Sequence, residues 1–205
     1  MSIELFARGL VIGFAIAAPV GPIGMLVIRR TLAEGRLLGL LTGMGAAVAD
    51  SLYGCVGAFG LTFISSFLMG YAFWTRLIGG AFLIYLGLST FRAKPREVST
   101  GASKVRYASA FLTTLALTLT NPATILSFMA VFAGLGLGMK AGDYGAAGIV
   151  VAGVFVGSAL WWLLLSGGVA LLRHKLKPGT LKWINYGSGA FLSAFGIYAL
   201  VSLML

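Results

Sequence analysis

Cysteine and histidine are almost missing from this chain: Cys55 and His174 are the only ones of their kind. A single thiol excludes an intramolecular disulfide and a CxxC redox pair, which argues against a membrane thiol oxidoreductase. Metal catalysis and ATP hydrolysis lack support as well, because there is neither a Cys/His cluster nor an intact GxxxxGK[ST] sequence. No cofactor and no metal are therefore expected. Cys55 reads as a packing residue, and His174, in a basic stretch, as a lipid headgroup contact. Charge is scarce overall, at 10% of residues against 59% apolar, and the mean hydropathy is +0.99. That leaves far too little polar surface to cover a soluble globule of 205 residues.

The composition fits a bilayer. Charge interruptions cut the chain into six apolar segments, at roughly 3–28, 37–64, 70–91, 107–135, 145–172 and 181–205. Each has the about 20 residues that cross a hydrocarbon core of about 30 Å, so an all-α integral membrane protein with six transmembrane helices is expected. The first segment carries Ala15-Ile16-Ala17, a small-residue pattern also seen at signal-peptide cleavage sites. Its positive n-region is weak, with Glu4 offsetting Arg8, and it is read as a span.

Basic residues outnumber acidic ones 15 to 5, and their distribution is lopsided. If odd-numbered interhelical loops share one side, that side holds Arg29, Arg30, Arg36, Arg92, Lys94, Arg96, Lys104, Arg106, Arg173, Lys175, Lys177 and Lys182. The other side keeps Arg8, Arg76 and Lys140, so 12 stand against 3. By the positive-inside rule the basic loops face the cytoplasm and both termini face outward. Topology and lipid contact explain these charges without nucleic acid as a partner. The connection at 92–106, with Pro95, Ser99, Gly101 and Ser103, reads as a linker between halves.

An internal repeat is legible. "GAFLIYLGL" at 80–88 matches "GAFLSAFGI" at 189–197, an offset of 109. "GAAVADSLYG" at 45–54 lies on "GVFVGSALWW" at 153–162, an offset of 108 that pairs Asp50 with Ser158 and Tyr53 with Trp161. "PVGPIGML" at 19–26 falls opposite "LTNPATIL" at 119–126, pairing Pro22 with Pro122. Three matches in one order make a repeat of three helices. An odd number forces the second half to enter the membrane inverted, as in many secondary transporters. The chain is accordingly read as one transmembrane domain, 1–205: repeat one over about 1–92, a cytoplasmic linker over about 93–106, and repeat two over about 107–205.

Helices one and four are expected to be interrupted, at Pro19 to Gly24 and at Asn121-Pro122, since proline removes a donor and clashes with the preceding turn. Lipid cannot satisfy the freed backbone groups, so such a break lines a cavity or is buried in protein. Pro22 suits the first position of a following half-helix, whose N–H groups and positive dipole end attract a carboxylate. A plain proline kink is the alternative. Asp50 is the only acid inside an expected span. Low dielectric penalises the charged carboxylate, which suits a proton carrier, and a structural pair with Arg76 is the competing reading. Tyr53 and Trp161 each follow their partner by three residues, on about the same helix face, and either wall a ligand cavity or fill the core. The many glycines, among them Gly39, Gly43, Gly45, Gly80, Gly87, Gly187, Gly189 and Gly196, are read as close helix contacts.

"APVGPIGMLVIRRTLAEGRLLGLLTGMGAAVADSLYG" at 18–54 and "NPATILSF" at 121–128 together resemble the lysine exporter (LysE/RhtB) family of bacterial inner-membrane amino-acid exporters. The resemblance extends over the whole length. It implies a transporter rather than an enzyme, moving amino acids or similar zwitterions outward, with protons as the coupling partner. By motif position it carries over Pro19, Gly21, Pro22, Asp50, Asn121 and Pro122; Tyr53, Ser158 and Trp161 come from the repeat alone. An inorganic-ion exporter would have Asp50, Asn121, Thr120 and Ser158 as a thin ligand set. A non-transport assembly factor would need a large soluble segment, which the sequence lacks. Assembly into a homo-oligomer stays open.

Overall fold

The computed structural model describes residues 2–19, 21–58, 72–92, 104–121, 124, 127–128, 143–173 and 178–203. Among them every regular element is a helix. The helices are α1 (Ser2–Ala17), α2 (Pro22–Glu34), α3 (Arg36–Ala58), α4 (Ala72–Phe91), α5 (Lys104–Leu119), α6 (Tyr144–Arg173) and α7 (Pro178–Val201).

The first apolar segment is two helices, not one. α1 stops at Ala17 because Pro19 has no N–H to continue the ladder and disfavours helical geometry in the residue before it. α2 begins at Pro22, where a missing N–H costs nothing, after an extended Gly21. The two axes differ by 79°. Gly24, expected within the break, lies inside α2. At the other end α2 runs on to Glu34, and only Gly35 separates it from α3, with φ 105°, a left-handed value glycine adopts readily. Arg29, Arg30 and Arg36, expected in a loop, are therefore helical residues.

Three described helices are long and apolar enough to cross a membrane, at Arg36–Ala58, Tyr144–Leu172 and Lys182–Val201; the bent pair α1–α2 passes the same test when its two helices are taken together, and α4 contributes the shorter apolar stretch Leu77–Phe91. The fourth expected segment begins as α5. Pro122, most of the 93–106 linker, His174 and the Arg76 side chain lie outside the described residues.

Small residues bring the helices together. α1 lies parallel to α6: Gly9 meets Val150 and Gly13 meets Val154, while Gly153 and Gly157 sit against the α1 backbone at Phe6 and Leu10, so that a Cβ at any of the four would overlap a carbonyl. α3 runs parallel to α5, with Gly45 on Phe111, and antiparallel to α6, with Gly43 on Trp162 and Gly54 on Val154. α4 and α7 are antiparallel, joined by two reciprocal contacts: a Cβ on Gly196 would come 2.7 Å from the Gly80 carbonyl, and one on Gly189 would come 2.9 Å from the Gly87 carbonyl. Gly187 meets open space, so the close contact expected there is not made. Into the middle of these seams α2 inserts Leu26 and Val27, both buried against Ala46, Ala47, Leu117 and Trp162. The opposite faces expose large apolar side chains such as Ile78, Leu171, Trp183 and Tyr198, as lipid-facing surfaces do.

Overpacking a tight seam costs about 1–3 kcal/mol, or about 3–10 °C of melting temperature in a chain of this size. Gly13→Val and Gly157→Val are expected to lower the melting temperature of the detergent-purified protein by that amount, whereas Gly187→Val should leave it within about 1 °C. Equal melting of all three would remove the α1–α6 seam as a determinant of stability.

Candidate functional site

The break between α1 and α2 opens on a cavity of about 270 Å³. Pro19, Gly21 and Pro22 line it from the break itself, Asp50 from α3, and Thr118 and Asn121 from the end of α5. Among the described residues, the N–H of Met25 is the first in α2 to find a helical acceptor, the Gly21 carbonyl at 3.0 Å. The N–H groups of Ile23 and Gly24 precede it and have no partner within the helix. Gly21 adds no side-chain cap. Both Ile23 and Gly24 belong to the cavity wall, so the positive end of the α2 dipole lies at the cavity.

Asp50 is 3% exposed. The Ser158 hydroxyl of α6 donates to its Oδ2 at 2.6 Å, and the Trp162 indole N–H, one turn further along α6, donates to the Ser158 oxygen at 3.1 Å. The chain thus points Trp162 to Ser158 to Asp50, with each donor satisfied and the carboxylate as its terminus. Gly43 makes this possible, because a side chain there would displace the Trp162 ring. No cation pairs with Asp50 among the described residues; the ion pairs there are Arg8–Glu4 and Arg106–Glu34. The same residues contain no group of three His, Cys, Asp or Glu side chains that could hold a metal ion.

Asn121 lies just past the end of α5. Its N–H bonds the Thr118 carbonyl at 3.2 Å and its side-chain amide donates to the Thr124 hydroxyl at 3.0 Å, a local turn in place of continued helix. Thr118 is 2% exposed, and its hydroxyl has no hydrogen-bond partner among the described residues.

Two aromatic residues expected as cavity walls stand elsewhere. The Tyr53 hydroxyl donates at 2.6 Å to the Leu119 carbonyl, one of those orphaned where α5 ends, and its ring packs on Phe128 with centroids 5.6 Å apart. Trp161 meets Phe14 edge-on at 5.4 Å in the α1–α6 region. Neither is among the lining residues, whereas Trp162 is. The signal for Trp162 was its spacing: position i+4 from Ser158 faces the same side as the serine. Thr118 gave no sequence signal, being one of several threonines in an apolar run.

A second cavity, of about 260 Å³, is lined by Arg30, Glu34, Leu38, Arg106, Ser109 and Ala110. Here Arg30 donates to the Thr42 hydroxyl and the Ala110 carbonyl, each at 3.0 Å, and Arg106 bridges to Glu34. Arg29 reaches Asn185 of α7 at 3.2 Å. The charged end of α2 is thereby tied to α3, α5 and α7, beyond the topology role that the sequence suggested for these arginines.

A family model described as LysE type translocator matches residues 14–203. Among individual proteins, the chain is 26% identical over 205 residues to "Putative amino acid efflux protein YcgF" of Bacillus subtilis, covering 95% of this chain and 94% of that one. It is 27% identical to "Uncharacterized membrane protein YahN" of Escherichia coli, over 85% and 78% of the two chains. Against "Lysine exporter LysE" of Corynebacterium efficiens the identity is 22%, over 95% and 97%. No solved structure matches the chain significantly. The match over nearly the whole length makes this protein a member of the LysE type translocator family.

Proposed function

We propose that this translocator is a secondary transporter of the bacterial inner membrane that exports amino acids or related small zwitterions in exchange for protons. The observation that carries the reading is Asp50: a carboxyl at the cavity, cut off from water, met by a hydroxyl donor and by no cation among the described residues. A buried acid in such a setting is a default proton or cargo site. In the exchange, cargo arriving from the cytoplasm takes the place of the proton on Asp50, leaves on the outer side, and a proton from outside refills the carboxyl. A neutral zwitterion leaving for a proton entering moves one positive charge inward, worth about 2.3 kcal/mol per 100 mV beyond the pH gradient. The family and the printed name of the Bacillus subtilis relative support the export of amino acids.

Six spans in two inverted repeats supply the moving parts. Support comes from contacts that exchange under the repeat offset. Gly80 on Gly196 becomes Gly189 on Gly87 when 109 is added to the first and subtracted from the second. Asp50 and Ser158, 108 apart, bond to each other. The α1–α6 pair has a counterpart in α3–α5, where Gly153 rests on Phe6 and Leu10 and Gly45 on Phe111 and Leu115, with a step of 105 from α1 to α5 in place of the 100 that relates Pro22 to Pro122. Parallel α1–α6, parallel α3–α5 and antiparallel α3–α6 leave α1 and α5 opposed, as inversion requires. Alternating access is then a rocking of one half against the other about the Asp50 crossing.

Orientation follows from the 12 to 3 distribution of basic residues. In a Cys55→Ser background, a cysteine at Ser99 should react only with reagents that cross the inner membrane, and cysteines at Ser2 and Ser202 with impermeant reagents added outside. The reverse pattern overturns the orientation.

Asp50→Asn keeps the size and hydrogen bonding of the side chain and removes its titration. In proteoliposomes the variant should lose at least about 90% of transport driven by a pH gradient, with a melting temperature within about 2 °C of wild type. Undiminished pH-driven transport would remove Asp50 from coupling. A collapse of stability rescued by Arg76→Gln would instead make it a structural counterion.

A further inference from the structure

α2 runs past two cavities that share no lining residue among those described. Pro22, Ile23 and Gly24 line the cavity at the break, and Arg30 and Glu34 line the second one, toward the other end of the same helix. Two further helices make the same passage in the reverse direction: α3 from Asp50 and Ala46 to Leu38, and α5 from Thr118 to Ala110 and Arg106. The two cavities are stretches of one line, walled by the same three helices.

Packed side chains divide them. Between the two stretches α2 carries Leu26 and Val27, 1% and 0% exposed, against Ala46, Ala47, Leu117 and Trp162. Thr42 on α3 and Thr114 on α5, between the same levels, are buried as well. On α2 this plug is about 9 Å long, from Gly24 to Arg30 at the helical rise. Polar ties hold it in place, running from the last turns of α2 to helices that follow the linker: Glu34 accepts from Arg106 of α5, Arg30 donates to the Ala110 carbonyl of α5 at 3.0 Å, and Arg29 donates to Asn185 of α7 at 3.2 Å. The helix so held has 13 residues and a joint at each end: Pro22 starts it without an N–H after an extended Gly21, and Gly35 ends it at φ 105°. Element-terminal positions of this kind absorb the backbone changes of a moving segment.

We infer that α2 is the gate between the two cavities, swinging on Gly21 and Gly35 to withdraw Leu26 and Val27, with the Glu34–Arg106 pair as its latch and the second cavity as the vestibule beyond it. The inference rests on the export reading, which requires a path to each face of the membrane, and it assigns this line to the face that carries the basic residues. A close-packed interior leaves no passage for a solute unless the plug moves. The latch is suited to repeated opening. Its Arg106 and Glu34 side chains keep 36% and 24% exposure, so water receives both charges when they part, at far smaller cost than for a fully buried pair. Leu26 and Val27 shut the path by packing, and the ion pair decides how long they stay.

Labelling tests the gate without cargo. In a Cys55→Ser background, Ile16→Cys places a thiol on the wall of the break cavity, and a small membrane-impermeant maleimide is added to sealed vesicles on the face where Ser99→Cys reacts. Loss of the latch in Glu34→Gln or Arg106→Gln should raise the reaction rate from that face at least about fivefold, by shifting the population toward the open gate. In proteoliposomes, a cleavable bis-methanethiosulfonate bridging Glu34→Cys to Arg106→Cys should suppress amino-acid transport by at least about 90%, and reductant should restore it. A reaction at Ile16→Cys no faster in either latch variant, with melting temperatures matching the wild type, overturns the gate, as does full transport by the bridged pair; both leave export intact. Should the latch variants melt early, the bridged pair decides. Faster labelling in the latch variants with no amino acid transported contradicts the export reading alone and keeps α2 as the barrier.

Discussion

A carboxyl group that leaves water for a helical interior must be met by donors, and the Ser158 hydroxyl, 2.6 Å from Asp50, is what meets it. Much of the inner architecture serves that contact. It fixes α3 against α6 at the point where they cross antiparallel, and the Trp162 indole steadies the serine from one turn away. Gly43 keeps the flanking surface low enough for the two helices to approach. An uncompensated charge inside a membrane helix would cost a few kcal/mol on insertion scales, and the Ser158 donor offsets part of that cost here.

The α1–α2 break answers the same constraint from the other side. Freed N–H groups cannot face lipid, and Ile23 and Gly24, which carry them, line the cavity that Asp50 shares. α2 is then the element with one end at the site and the other held by Arg29 on Asn185, Arg30 on Thr42 and Ala110, and Glu34 on Arg106. Anchors of this kind restrain the charged end of a short helix while its proline end lines the cavity. Glycine seams on α1–α6 and α4–α7 bring backbone against backbone.

What the sequence revealed and what it hid divide along a physical line. Proline and glycine act through their own covalent geometry, so the end of α1 before Pro19 and the start of α2 at Pro22 were readable without a structure. The repeat offset paired Asp50 with Ser158, and the two side chains are hydrogen-bonded. The same alignment paired Tyr53 with Trp161, yet Tyr53 caps α5 and it is Trp162 that lines the cavity. Which of two adjacent aromatic residues turns inward depends on helix rotation, set by packing against neighbours that no single segment contains. Gly9, Gly13, Gly153 and Gly157 were hidden for a related reason: glycine is common throughout, and only the partner backbone distinguishes a contact from a tolerated site. Arg29 and Arg30 read as loop charges because α2 was expected to end before them, whereas the left-handed Gly35 lets it run on to Glu34.

The proposed exchange turns on Asp50 giving up a proton when cargo arrives. The direct measurement is proton release on ligand addition: purified protein in weakly buffered solution with a pH-indicator dye, at a pH where the carboxyl is protonated in the absence of ligand, titrated with an amino acid whose bound amount is counted in parallel. About one proton released per amino acid bound in the wild type, and none in Asp50→Asn, is the expected result. Stoichiometric binding to the wild type with no proton released would contradict it.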